Sequence, residues 1–162
     1  MSGTVPVIRT YAPAAAEAAR IAAERLGEIA ASPLRLPLPV DLAFRDAPAT
    51  AGFVVEVRRG SVTVSAASTR EHIAGLGALL ALVRRSPAGA QAIADGRLAE
   101  SPRFPTRLHY MPAHFGNSFM VAWPLEMRRY LEDMALAGAS GYGDWFDPND
   151  MADPRSEERR VG

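Results

Sequence analysis

The residues best able to hold a small polar molecule are gathered between positions 106 and 147. Thr106 to Met111 reads as a strand, and His114-Phe115-Gly116-Asn117-Ser118-Phe119 follows it, mixing groups that hydrogen-bond with groups that stack. Trp123 opens a helical stretch in which Pro124 suits the first turn, where its missing amide hydrogen is not needed. Met127, Leu131 and Met134 give that helix an apolar stripe, Tyr130 borders it, and Gly138 or Gly141 can end it. Gly143 to Phe146 starts a further strand, and Asp147-Pro148-Asn149-Asp150 is a turn. Strand, loop, helix, strand is the repeating unit of a parallel α/β fold. In a (β/α)8 barrel the chemistry collects at the C-terminal ends of the strands. Tyr110, His114 and Asn117 fall at one such end, Trp145 and Asp147 at the next. An aromatic face beside amides and carboxylates suits a sugar ring, whose C–H face stacks while its hydroxyls are hydrogen-bonded. These five residues form the candidate substrate-binding set.

Each has a plainer reading. Trp123 and Trp145 read more readily as core or inter-domain packing than as ligand platforms. His109 alternates with Tyr110 along a strand and reads as structural, while His114 stays open between the two roles. Asp144 and Asp147 are polar contacts, half of a metal site or a solvated turn. His109, His114, Asp144 and Asp147 match no zinc spacing, so no metal is expected. No catalytic residue can be named among Asp144, Asp147 and Asp150. The carboxylates of a glycosidase face each other across roughly 5–9.5 Å and usually come from different elements.

The elements that must position this set begin upstream. Val5 to Arg9 reads as a strand, and Pro13 opens a helix to about Ala30. Ala15, Ala18, Ala22, Leu26 and Ile29 form its apolar stripe; Glu17, Arg20, Glu24 and Glu28 form its wet face. Pro39 to Phe44 suggests an irregular edge strand. Gly52–Arg58 and Ser61–Ser65 alternate around a tight turn at Arg59-Gly60, a hairpin with one half-buried face. Ser68 caps a second helix, with Glu71 at the capping-box position. Ile73, Leu76, Leu79, Leu80 and Val83 pack it, and Gly75 and Gly77 let its backbone approach the sheet. Gly89 to Glu100 reads as a connector. The order implies a small α/β sandwich, both helices on one face of a mixed or antiparallel sheet. The fold class expected is therefore α/β, a small α/β sandwich followed by the truncated start of a (β/α)8 barrel.

Composition narrows the classes further. Eighteen basic and 18 acidic residues cancel to a net charge of zero over 162 residues, so no broad surface attracts nucleic acid. There is no cysteine, hence no disulfide framework or thiol chemistry. No glycine-rich loop has nucleotide-binding spacing, and no cofactor is expected. No apolar run reaches the roughly 20 residues of a membrane helix. The N-terminus lacks the order of a signal peptide. Nothing in the pattern sets an oligomeric state or a compartment.

The first hundred residues resemble the small α/β domain that precedes the catalytic barrel in glycoside hydrolase family 20 β-N-acetylhexosaminidases. A similar domain precedes the barrel of the family 67 α-glucuronidases. The resemblance lies in the alanine-rich helix 13–30, the strand pair GFVVEVRRGSVTVSA, the helix STREHIAGLGALLALVRR and, most specifically, the junction SPRFPTRLHYMPAHF. There Pro102, Arg103, Phe104 and Arg107 match the family 20 pattern leading into the first barrel strand. The chain departs from that pattern at Leu108–Pro112, and Phe115 stands where the family has a sugar-binding arginine. The resemblance implies a carbohydrate substrate acted on by the complete enzyme, with the catalytic Asp-Glu pair later in the barrel. In an α-glucuronidase-like branch, Arg103 and Arg107 are available to a uronic acid carboxylate. The expected divisions are 1–100 for the small domain, 101–152 for the first barrel units, and 153–162 for a disordered or artefactual tail. An alternative is a stand-alone carbohydrate-binding or interaction module.

Overall fold

In the computed structural model the structure describes residues 5–47, 51–110 and 122–143. Along the chain run β1 (Val7–Thr10), α1 (Ala16–Ala31), β2 (Asp41–Asp46), β3 (Phe53–Arg58), β4 (Ser61–Ala66), α2 (Thr69–Arg85), β5 (Gly96–Glu100), β6 (Leu108–Tyr110), α3 (Pro124–Leu136) and β7 (Gly141–Gly143). The first five strands form one mixed sheet in the order β1-β2-β4-β3-β5. Within it β1, β2 and β4 are parallel, and β3 runs antiparallel to both β4 and β5. This is the mixed α/β architecture expected from the order of the elements.

Alternation decides which face is covered. Leu42 and Phe44, Val55 and Val57, and Val62 and Val64 are all buried beneath the two long helices. From α1 they meet Ala18, Ile21, Ala22 and Leu26; from α2, Leu76, Leu79 and Val83. The β3–β4 turn is of the tight primed type, with Arg59 at φ 51° and Gly60 at φ 79°. That hand matches the strand twist.

Two strand expectations need correction. Residues 39–44 do not make an irregular edge strand: β2 is regular, extends to Asp46 and lies between β1 and β4. Its prolines all precede Asp41, so none interrupts the ladder. Residues 89–100, which read as a connector in sequence, contain β5, the edge strand beside β3. An edge strand needs little apolar patterning, and Leu98 is its one large apolar residue packed against the core.

At the start of α2, Ser68 Oγ accepts the Glu71 amide at 3.3 Å, as expected of a cap. The Glu71 carboxylate does not close the box on the Ser68 amide. It accepts from the Ser68 hydroxyl at 3.0 Å and the Gly52 amide at 3.1 Å, tying the helix start to the approach to β3. A Cβ on Gly75 would lie 2.7 Å from Val64 Cγ1, so this glycine does admit the sheet. Gly77 instead abuts the Leu136 carbonyl at the end of α3.

One buried group is unusual. His72 of α2 is fully buried, edge-on to the Phe44 ring at 5.9 Å, and neither ring nitrogen has a hydrogen-bond partner among the described residues. Burial pushes its pKa below the ordinary 6.5, and the carboxylates of Asp46 and Glu71 oppose that only in part. The unfolded chain therefore binds this proton more readily than the folded one. Stability should be full above pH 6.5 and decline as pH falls below it, by at most about 1.4 kcal/mol per pH unit for one proton. His72→Leu should flatten that limb of the pH–stability curve in urea titrations. An unchanged slope would show that another group sets it.

Candidate functional site

The second unit is a β–α–β motif. β6 and β7 pair in parallel with Tyr110 opposite Gly143, and α3 connects them in sequence. Its last turn closes on Gly138 at φ 91°, where the Gly138 amide donates to Ala135 O and the Ala139 amide to Met134 O, each at 2.9 Å. That is the Schellman arrangement, and it selects Gly138 over Gly141 as the stop. The start is fixed by Glu126, whose carboxylate accepts the Trp123 amide at 2.8 Å. Arg107 and Ser140 lock the two strand starts together: the Arg107 amide donates to Ser140 Oγ at 2.7 Å and the Ser140 amide to Arg107 O at 2.8 Å.

Alternation along β6 separates its side chains. His109 meets α3, where its Nε2 lies 2.6 Å from the Tyr130 hydroxyl and the rings form a T-shaped pair with centroids 5.8 Å apart. Leu108 and Tyr110 are 67% and 56% exposed. Tyr110 thus stands free at the C-terminal end of β6, beside the end of β7. Of the candidate substrate-binding set it alone falls among the described residues. His114, Asn117, Trp145 and Asp147 lie outside them. The segments carrying those four leave from neighbouring ends of two parallel strands, because Tyr110 and Gly143 are register partners.

Other candidates are placed as follows. Trp123 is 75% exposed, so it packs on nothing substantial. Arg103 and Arg107 line a hollow of about 120 Å³ with Gly52, Glu71 and Glu100. That is well under the roughly 300 Å³ at which ligand pockets begin, and Arg107 lays its guanidinium against Gly138. The neighbouring Arg70 donates to Pro105 O at 3.1 Å, fastening the junction to the start of α2. A concavity of about 830 Å³ lies between the end of α1 and residues 33–40. Its one charged lining residue is Arg35, so it carries no acid–base pair. No cluster of three or more His, Asp or Glu side chains is arranged for a metal among the described residues.

The largest departure from the sequence reading is the seam between α1 and α3. α3 packs against α2, and its charged side chains reach across to the expected wet face of α1. Glu132 of α3 is 7% exposed, with Oε1 2.5 Å from Arg20 Nη2 and Oε2 3.3 Å from Arg25 Nη2. Arg128 reaches Glu24 at 3.4 Å, and Arg129 reaches Glu28 at 2.5 Å. The stripe of Met127, Leu131 and Met134 borders shallow grooves beside Ile73 rather than filling the core, and Leu131 is 38% exposed. Glu17, bonded to Arg20, has its carboxyl held below the usual range chiefly by that hydrogen bond. Its contribution is present above about pH 4.5 and fades as pH falls, and half exposure keeps it small.

The mixed α/β fold is similar to part of the glycoside hydrolase family 20 β-N-acetylhexosaminidases. No family model matches the sequence, and no curated protein matches it. Among solved structures, the chain is similar to the family 20 exo-β-N-acetylglucosaminidase of Vibrio harveyi, determined in complex with N-acetylglucosamine. The TM-score is 0.67 at 18% identity, over 91% of this chain and 23% of that one. The β-N-acetylhexosaminidase of Streptomyces coelicolor gives 0.55 at 19% identity, over 86% and 30%. The N-acetyl-β-hexosaminidase of Streptomyces plicatus gives 0.52 at 18%, over 87% and 30%. At such identities the likeness is one of fold. A match covering 91% of 162 residues cannot stop at Glu100, so it takes in part of the second unit as well. The chain spans less than a third of each of these structures.

Proposed function

We propose that this chain is the supporting domain and opening β–α–β unit of an enzyme that hydrolyses glycosidic bonds, with the catalytic carboxylates carried outside these residues. The observation that supports it best is the fold likeness to a family 20 enzyme over 91% of this chain, more than the sandwich alone. On this reading the sandwich braces the barrel, and the ends of β6 and β7 contribute one wall of the sugar site. Tyr110 is a stacking face there, and His114, Asn117, Trp145 and Asp147 are its hydrogen-bonding and stacking partners. The reading leaves two substrate branches: N-acetylhexosaminides, as in the fold relatives, and uronides, as in the α-glucuronidase-like alternative.

The test is to read the source nucleic acid past codon 153 and express the longest continuous product. Hydrolysis of a chromogenic glycoside should fall by at least about 100-fold when either of its two facing carboxylates is replaced by an amide. Undiminished hydrolysis after both replacements would sink the mechanism. A second reading, a non-catalytic carbohydrate-binding module, draws on the exposure of Trp123 and Tyr110. A frame that stops after Gly162, together with saturable glycan binding by the chain, would favour it.

A further inference from the structure

The sheet has one covered face and one open face. Helices α1 and α2 lie on the first, and α3 docks on those helices rather than on the sheet. The residues that alternate with the buried ones therefore form the large surface left to solvent. Arg9, Ala43, Thr63, Glu56 and Arg97 make one cross-strand row in continuous register from β1 to β5. A second row runs through Arg45, Ser65, Val54 and Ala99; a third through Asp41, Ser61 and Arg58. The middle of this face is a floor of short side chains with three hydroxyls. Arginines stand on both flanks, and four inter-strand steps separate Arg9 from Arg97, about 19 Å at the usual strand spacing.

The charges on this face do not cancel. Asp41 pairs with Arg9 at 3.2 Å, and Glu56 is shared by Arg58 at 3.6 Å and Arg97 at 3.7 Å. Arg45 lies over the Tyr11 ring at 5.0 Å. Four guanidinium groups thus face two carboxylates. The arginines are also accessible, with Arg58 81% and Arg97 61% exposed.

We propose that this open face is an accessory binding surface for an anionic polysaccharide built of uronic-acid residues, lying across the strands along the Arg9–Arg97 row. The sugar part of the proposal rests on reading the chain as part of a carbohydrate-processing enzyme; the charge and shape do not. Neutral glycans are held largely by stacking on aromatic faces. Among the described residues the one aromatic ring at this surface, Tyr11, already has a guanidinium over it. Nucleic acid would need stacking platforms and a denser basic patch. A surplus of two positive charges, with its arginines on four of the five strands, suits single carboxylates spaced along a chain better than dense sulfation. Guanidinium groups bind carboxylates through paired hydrogen bonds, while the Ser61, Thr63 and Ser65 hydroxyls face the sugar hydroxyls.

The experiment is a titration of the full chain with polygalacturonate at low and high salt. Dextran, heparin and single-stranded DNA are the comparison polymers. Saturable, salt-sensitive binding to polygalacturonate, with none to dextran, is expected. Affinity should fall roughly tenfold in Arg9→Gln/Arg97→Gln and in Arg45→Gln/Arg58→Gln, since each removes two charged contacts. All four positions point away from the core, and far-UV circular dichroism verifies the fold of each variant. Arg84→Gln/Arg85→Gln, at the end of α2, should bind as the parent does. No binding by the folded chain would overturn the proposal, as would an equal loss in the α2 variant. Tighter binding to heparin or DNA would overturn it by naming another partner. A failed hydrolase reading would leave this titration unaffected, and a failed titration would leave the hydrolase reading standing.

Discussion

Glu132→Leu is expected to destabilise the chain by about 3 kcal/mol, because it removes the acceptor from a largely buried ion cluster and leaves the arginines behind. Arg25 is the residue that suffers most. Its side chain is 10% exposed, its Nε already lacks a partner among the described residues, and losing Glu132 leaves it the more exposed Asp133 at 2.9 Å and Glu28 at 3.8 Å, with the Arg129 carbonyl at 3.5 Å. Arg20 suffers less, since it is 35% exposed and keeps Glu17 at 2.7 Å and Glu24 at 3.0 Å. Its guanidinium pKa is pushed upward by hydrogen bonds to Glu17 first and Glu132 second, which fits Glu132 as one partner of several. The double variant Arg25→Met/Glu132→Leu should recover most of the loss, because apolar groups of similar volume often replace a buried pair at little cost. Urea midpoints of the parent, both single variants and the double variant would measure the coupling. A single variant with an unchanged midpoint would mean the seam contributes nothing to stability.

The same seam shows where sequence reading works and where it stops. The hairpin, the Ser68 cap and the apolar faces of α1 and α2 were legible because each is a local pattern with a single physical reading. Strand β2 was misjudged through the prolines before it, and β5 was missed because an edge strand carries so little apolar signal. Glu17, Arg20, Glu24 and Glu28 look wet on any helical projection, and nothing local tells a solvated stripe from one that meets oppositely charged residues a hundred positions later. The available signal was weak but present: Arg25 sits between Ala22 and Leu26, inside the apolar stripe, where a charge requires a partner. Glu132 offers the matching clue, since it follows Leu131 and precedes the half-buried Ala135 and Leu136. In the second unit, the alternation of His109 with Tyr110 along β6 was legible from the strand pattern. Which residues come opposite Tyr110 depends on the β6–β7 register, and pairing between distant strands is not written in either strand alone.

Gly77→Ala and Gly27→Ala should move stability in opposite directions, although each puts a methyl group inside a long helix. Alanine is intrinsically favoured over glycine in a helix by about 1 kcal/mol. At Gly27 nothing lies within 4 Å of the added Cβ, so up to that gain should be realised. At Gly77 the Cβ would run into the carbonyl oxygen of Leu136, a backbone atom at the last residue of α3. A flexible side-chain tip could swing aside, but this carbonyl belongs to the turn closed by the Gly138 stop and cannot move without carrying α3 with it. Overpacking of this kind costs about 1–3 kcal/mol beyond any propensity gain. The expected net result is a loss of about 2 kcal/mol at Gly77 against a gain at Gly27, read as opposite shifts of the urea midpoint. Comparison with Glu132→Leu then separates two ways of failing. If both variants first release α3, limited proteolysis should cut near residues 122–143 while the five-stranded sheet survives. If they unfold the whole chain in one transition, the β–α–β unit and the sandwich form one cooperative body, and the docked helix is as much a part of the small domain's stability as its own core.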